Sequence, residues 1–317
     1  MTLDLSALIT TSVSLLLLIL VGFVLRKIGI LDERFTKNLS TLVAKGALPF
    51  MILHSVTRLE YSAENMRNGL MILIFGTLAH VFMALMARLV FSRVKDVDEK
   101  KIYNFASVFS NCAFIGFPIL EALFGEIGLF YGAFYVITYN LGCWSYGAML
   151  MSKGKEGEKF TIKNVFLNIG TISCGIAFVL YVCRVPIPSF LMTTMGHMGS
   201  LCTPLSLLVT GSLVAAMPLK NVFLNPKLYA FCGFKLLLLP LAAALILHFT
   251  GASVLVTGID LTVFLAVMIA LPSAAFTSLF ANMYDVKPSY AAQLVSLATM
   301  LSPLTILALI SLLNVLI

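Results

Sequence analysis

The stretch Ser110-Asn111-Cys112-Ala113-Phe114-Ile115-Gly116-Phe117-Pro118 decides how this chain is read. It lies inside an apolar run of helical length, yet an uninterrupted spanning helix has no use for its contents. Pro118 has no amide hydrogen, and its ring collides with the preceding turn. Gly116 lets another backbone come close. Asn111 puts a neutral amide among apolar neighbours. Together they predict a helix broken around Gly116 and Pro118, near mid-membrane. The freed amides at the start of a half-helix suit an anion. An asparagine that merely stitches two helices together is the competing reading. The adjacent break favours ligand contact.

The surrounding composition sets the class. Of 317 residues, 60% are hydrophobic and 11% charged, with mean hydropathy +1.02. Soluble domains are roughly half apolar and about a quarter charged. In lipid, only helices and closed barrels satisfy their own backbones, and apolar runs near about 20 residues point to helices. The expectation is an all-α integral membrane protein of ten transmembrane helices. They are placed at Leu5–Leu25, Leu39–Val56, Gly69–Phe91, Tyr103–Leu123, Leu129–Met151, Val165–Cys183, Ser200–Met217, Tyr229–Phe249, Leu261–Tyr284 and Tyr290–Leu316. No positive charge precedes the first run, and it is too long for a signal-peptide core, so it reads as helix 1.

Charge tests that count. Of the 21 lysines and arginines, only Arg58, Arg67 and Arg184 fall in loops after even-numbered helices. Lys45, Arg88 and Lys235 fall within spans, and the remainder follow odd-numbered helices. Lysine and arginine stay cytoplasmic, so both termini are expected outside the cell membrane. The net charge of +7 is accordingly read as topology and not as a nucleic-acid footprint.

Helices 2 and 7 carry Pro49 and Pro204, while helices 4 and 9 are interrupted near Pro118 and Pro272. The matches pair 2 with 7 and 4 with 9. Two five-helix halves of opposite orientation follow, because five is odd: residues 1–152 and 164–317, joined by a link at 153–163. Paired interrupted helices in inverted repeats point to a transporter's binding site. In helix 9, Leu271-Pro272-Ser273-Ala274-Ala275-Phe276-Thr277-Ser278 permits a tight crossing with helix 4. Ser273 and Thr277 are one turn apart, placed either to line a pocket or to bond their own helix. Candidate substrate-binding residues are Asn111, Gly116, Pro118, Pro272, Ser273 and Thr277.

Other chemistry is missing from the pattern. No Asp or Glu falls clearly in mid-span, which disfavours ion coupling through a buried carboxylate. Lys45, Arg88 and Lys235 read as bases reaching back to the interface, with Lys45, one turn before Pro49, also placed to attract anions. The histidines are scattered, no nucleophile elbow, HExxH or P-loop lysine is present, and the six cysteines lack CxxC spacing. No enzyme activity, cofactor or metal is expected.

The pattern Asn111-x4-Gly116-x-Pro118 resembles the first crossover of the auxin efflux carrier family. Trp144-Ser145-Tyr146-Gly147 is similar to that family's Trp-x-x-Gly. Pro49, Leu271-Pro272, Ala281-Asn282-Met283-Tyr284 and Leu301-Ser302-Pro303 also match, so the resemblance covers nearly the whole chain. Bacterial members are described as permeases for malonate and related carboxylates, and plant members export auxin. The resemblance implies a scaffold of helices 1, 2, 6 and 7, and a transport domain of the rest. It further implies elevator-like motion about the helix 4/9 crossover, a homodimer, and substrate contact by Asn111. The short link at 153–163 is similar to compact microbial carriers, and Ser273 stands where plant relatives commonly differ. The expected function is secondary transport of small organic anions, malonate- or auxin-like. A membrane receptor for a sterol or organic ligand competes. The chain's end at Ile317, beside helix 10, weighs against it.

Overall fold

A computed structural model describes residues 5–152, 169–216 and 222–316. Among them every regular element is helical, and the only strand-like feature is one antiparallel bridge between Ser110 and Ser273. The expected link at 153–163 and the start of helix 6 lie outside the described residues.

Helix α1 spans Leu5–Lys27. Helix α2 runs Glu33–Thr57, and α3 runs Ala63–Val90. The next helix is in two pieces: α4a, Val97–Val108, and α4b, 112–124. Gly125, at φ 62°, divides α4b from α5 (126–152) within the continuous Cys112–Ser152 stretch. Then come α6 (Ile169–Val182), α7 (Ser189–Ala215) and α8 (Pro226–Thr250). Helix α9 is again split, into α9a (Leu261–Ala270) and α9b (Phe276–Met283), and α10 is Pro288–Leu316. Among the described residues, six helical stretches are long and apolar enough to cross a membrane: α2, α3, Cys112–Ser152, α7, α8 and α10. Ile169–Val182 and Leu261–Ala270 are shorter and apolar.

Three prolines follow short π-helical turns: Val43–Ala47 before Pro49, Cys112–Gly116 before Pro118, and Phe234–Leu238 before Pro240. A wider turn relieves the clash between a proline ring and the preceding carbonyl, so these helices continue. This corrects the expected site of the helix 4 break. Pro118 sits seven residues into α4b, just past the π turn that accommodates its ring, and Ser206 bonds the Phe114 carbonyl four residues before it. The chain actually leaves helical geometry at Phe109 and Asn111.

Helix α7 also begins earlier than the apolar pattern suggests, at Ser189 and not Ser200. Its small residues read as loop but serve close packing. A Cβ on Gly199 would lie 2.8 Å from the Met51 Cα of α2. The second part of α7 crosses α1 as tightly: a Cβ on Gly211 would lie 1.9 Å from the Ile19 carbonyl oxygen. Helices α1, α2, α6 and α7 thus form one packed group. In the other, α3 packs on α5, and α8 on α9a.

Candidate substrate site at the helix crossover

The two broken helices cross at their breaks. Leu271, forced extended by the proline that follows it, ends α9a. The Asn111 amide donates to the Pro272 carbonyl (2.7 Å), and the Ala274 amide donates to the Phe109 carbonyl (2.8 Å). Each break therefore satisfies the other's backbone, as lipid requires. Gly116 keeps the crossing tight, since a Cβ there would lie 2.8 Å from Leu271 Cδ1.

Four half-helix ends converge here. The C-terminal ends of α4a and α9a carry partial negative charge; the N-terminal ends of α4b and α9b carry partial positive charge. Asn111 caps α4b, its Oδ1 accepting from the Phe114 amide at 3.3 Å. Its Nδ2 has no protein partner among the described residues, and the side chain is only partly buried. Ala113, Phe114 and Phe276 are partly accessible beside it, and Ala275 is exposed. Helix α9b has no side-chain cap. Ser206 of α7 donates to the Phe114 carbonyl (3.3 Å), tying this face to the first helix group.

The six candidate residues divide. Asn111 alone presents an accessible polar side chain. Gly116, Pro118 and Pro272 are buried and shape the backbone. Ser273 is fully buried and donates to the Ala106 carbonyl at 2.9 Å, in the last turn of α4a. Thr277 is fully buried, and its hydroxyl has no hydrogen-bond partner among the described residues.

The sequence reading of Lys235 needs correction. Lys45 and Arg88 are exposed, and Arg88 lies over the Tyr146 ring at 5.7 Å. Lys235 is instead fully buried. Its Nζ donates to Ser110 Oγ (2.7 Å) and to the Ile269 carbonyl (2.8 Å), with Met83 Sδ at 4.0 Å. Depth separates Lys235 from Arg88 but not from Lys45, which lies twelve residues into α2. Lys235 lies nine residues into α8, which begins at Pro226, or about 13 Å along the axis. Arg88 sits in the last turn of α3.

Charged pairs gather at the two ends of the bundle. At one end Arg58 pairs with Glu126 at 2.8 Å, and Arg184 stacks over Tyr61 at 4.4 Å. At the other, Lys287 bonds Asp96 and reaches Glu99 at 3.2 Å, while Lys227 meets Glu99 at 3.0 Å. The Lys287 bond holds the Asp96 carboxyl below the usual carboxylate range, and Asp96 raises Lys287 in turn.

An all-helical, lipid-embedded chain with two broken helices crossing at mid-length has the build of a membrane transporter. The family model described as membrane transport protein matches residues 7–174 and 157–310. The chain belongs to that family, the auxin efflux carrier family, and is a multi-pass membrane protein. It is 27% identical over 301 residues to an uncharacterized transporter of Methanothermobacter thermautotrophicus, covering 92% of this chain and 94% of the relative. It is 25% identical over 302 residues to an uncharacterized transporter of Methanocaldococcus jannaschii, with the same coverage.

Proposed function

We propose that this protein is a secondary carrier of small organic anions, carboxylates of malonate-like or auxin-like chemistry. The observation that carries the reading is the open N-terminal side of the crossover. There the Asn111 side chain is partly accessible, and its Nδ2 has no partner among the described residues, beside two half-helix N-termini. Magnitudes suit a carrier. Each helix end favours an anion by about 0.3–1 kcal/mol, and a hydrogen bond to a charged group contributes about 1.5–3 kcal/mol. Their sum lies near the roughly 4 kcal/mol of millimolar binding, weak enough for release on the far side.

The full architecture in this reading is ten spans in two inverted five-helix repeats. Helices α1, α2, α6 and α7 form the scaffold, and the crossover rides in the remaining helices by an elevator-like motion. Their mutual packing and the tight glycine crossings of α7 support a rigid scaffold. The charge bias of the loops supports a cell-membrane orientation with both termini outside. A homodimer in the bilayer belongs to the same reading.

The test is uptake of radiolabelled malonate and related carboxylates into proteoliposomes, for the native protein and Asn111→Ala. Uptake that collapses in a folded Asn111→Ala variant supports the reading. Saturable binding by the native protein without any uptake would replace it with a receptor.

A further inference from the structure

The anion reading uses one side of the crossover and leaves Lys235 without a role. A lysine in the middle of a membrane segment is costly, and the three polar contacts around it call for explanation. Ser110 Oγ lies just past the C-terminal end of α4a, and the Ile269 carbonyl belongs to the last turn of α9a. These are the negative ends of two half-helices. Unwound carbonyls and half-helix C-terminal ends are the groups that hold a coupling cation in broken-helix transporters. Here that place is filled by an ammonium on a side chain. Its three N–H donors face Ser110 Oγ, the Ile269 carbonyl and Met83 Sδ. Among the described residues no carboxylate pairs with Lys235; the titratable groups that feel its charge are His80 of α3 and Cys112 of α4b. His80 Nδ1 is itself engaged with the Gly76 carbonyl at 2.7 Å.

We infer that Lys235 is a built-in cation. Its ammonium occupies a monovalent-cation site between the C-terminal ends of α4a and α9a, so the crossover needs no sodium ion to hold its charge balance. The role in anion transport rests on the carrier reading above; the cation site itself does not. The lysine is a positioning residue: it holds the two halves of the crossover together from the side opposite Asn111.

Two measurements test this on the purified full chain. The first is the thermal unfolding midpoint of the native protein and of Lys235→Ala in chloride salts of ammonium, methylammonium, sodium and choline. The native midpoint is expected to be the same in sodium as in choline. Lys235→Ala is expected to fall by about 5–10 °C in choline and to recover in ammonium or methylammonium, which fit the vacated space. A Lys235→Ala midpoint identical in all four salts overturns the inference, as does a native midpoint that rises with sodium. Should Lys235→Ala fail to fold, Lys235→Met keeps the volume without the charge. It is expected to fold, to ignore all four cations and to lose uptake; full uptake by folded Lys235→Met overturns the inference. The second measurement is native uptake with and without a sodium gradient, where equal rates are expected and sodium dependence overturns it. Absence of uptake of any anion by the native protein would sink the carrier reading, while rescue of Lys235→Ala by ammonium would still establish the cation site.

Discussion

The two sides of the crossover are built from the same elements, yet they are finished differently. On the side of the C-terminal ends, the chain itself supplies a buried side chain to cap a carbonyl of each half-helix. Ser273, from the second broken helix, caps the Ala106 carbonyl of α4a. Lys235 caps the Ile269 carbonyl of α9a. On the side of the N-terminal ends, the Asn111 side chain caps only its own half-helix, its Nδ2 without a partner among the described residues, while α9b has no side-chain cap. Both ends of a half-helix leave unsatisfied backbone groups. A group closed by a buried side chain is a permanent joint, whereas one left facing accessible space awaits a visiting partner. The contrast explains why the negative ends are dry and the positive ends are reachable.

Substitution of each cap probes that contrast. Lys235→Glu sets a carboxylate against a carbonyl and two negative helix ends. It is expected to destabilise the protein by about 3–5 kcal/mol or more, read as loss of folded protein on size exclusion. Asn111→Ala removes an amide from the open side. A loss of about 1.5–3 kcal/mol of interaction with a charged substrate corresponds to uptake falling by roughly 10- to 100-fold, with the unfolding midpoint shifted only by the lost cap, about 1 kcal/mol. Ser273→Ala should show the reverse pattern: a stability loss of about 1–2 kcal/mol from the orphaned Ala106 carbonyl, with apparent substrate affinity unchanged. If Ser273→Ala weakened substrate binding as much as Asn111→Ala, the division into a closed and an open side would be wrong.

The smallest effect is expected far from the crossover, at the Lys287–Asp96 pair. Lys287→Ala should cost about 0.5 kcal/mol, since the pair is solvent-accessible and screened by salt. Its pH dependence has a definite sign. Asp96 is depressed in the folded state, so its contribution is present at higher pH and is lost as pH falls through the depressed value. Lys287 is raised, so its contribution is present at lower pH and is lost as pH rises through the raised value. Between roughly pH 4 and pH 10 the pair should add a constant increment. Unfolding midpoints of the native protein and Lys287→Ala should therefore run parallel across that range.

Much of the architecture was legible because lipid leaves the chain few choices. Apolar runs of spanning length must be helical, and Pro272 does end α9a. Asn111 was legible too, as an isolated amide beside a break. The location of the helix 4 break was not, because Pro118 has two readings: it interrupts a helix, or a wider preceding turn carries the helix through it. The choice depended on whether another backbone could satisfy Phe109 and Asn111, and only Pro272 and Ala274, more than 150 positions away, could do so. Ser273 and Thr277 have the residue types of a binding site, but burial closes both. Ser189–Ser200 was hidden by glycines whose purpose is a neighbour.

By itself, then, the sequence determined a lipid-embedded helical bundle with two interrupted helices and an amide beside one of them. Hydrophobic periodicity and proline sterics are local properties, and they act wherever the chain lies. Tertiary structure alone decided which polar groups face outward and which are spent inward. Lys45, Arg88 and Lys235 are all bases within apolar runs, and nothing local separates the buried Lys235 from the exposed Lys45. Packing did: only at Lys235 do the ends of two other helices arrive with acceptors, and a charge stays buried in a membrane only where such partners meet it.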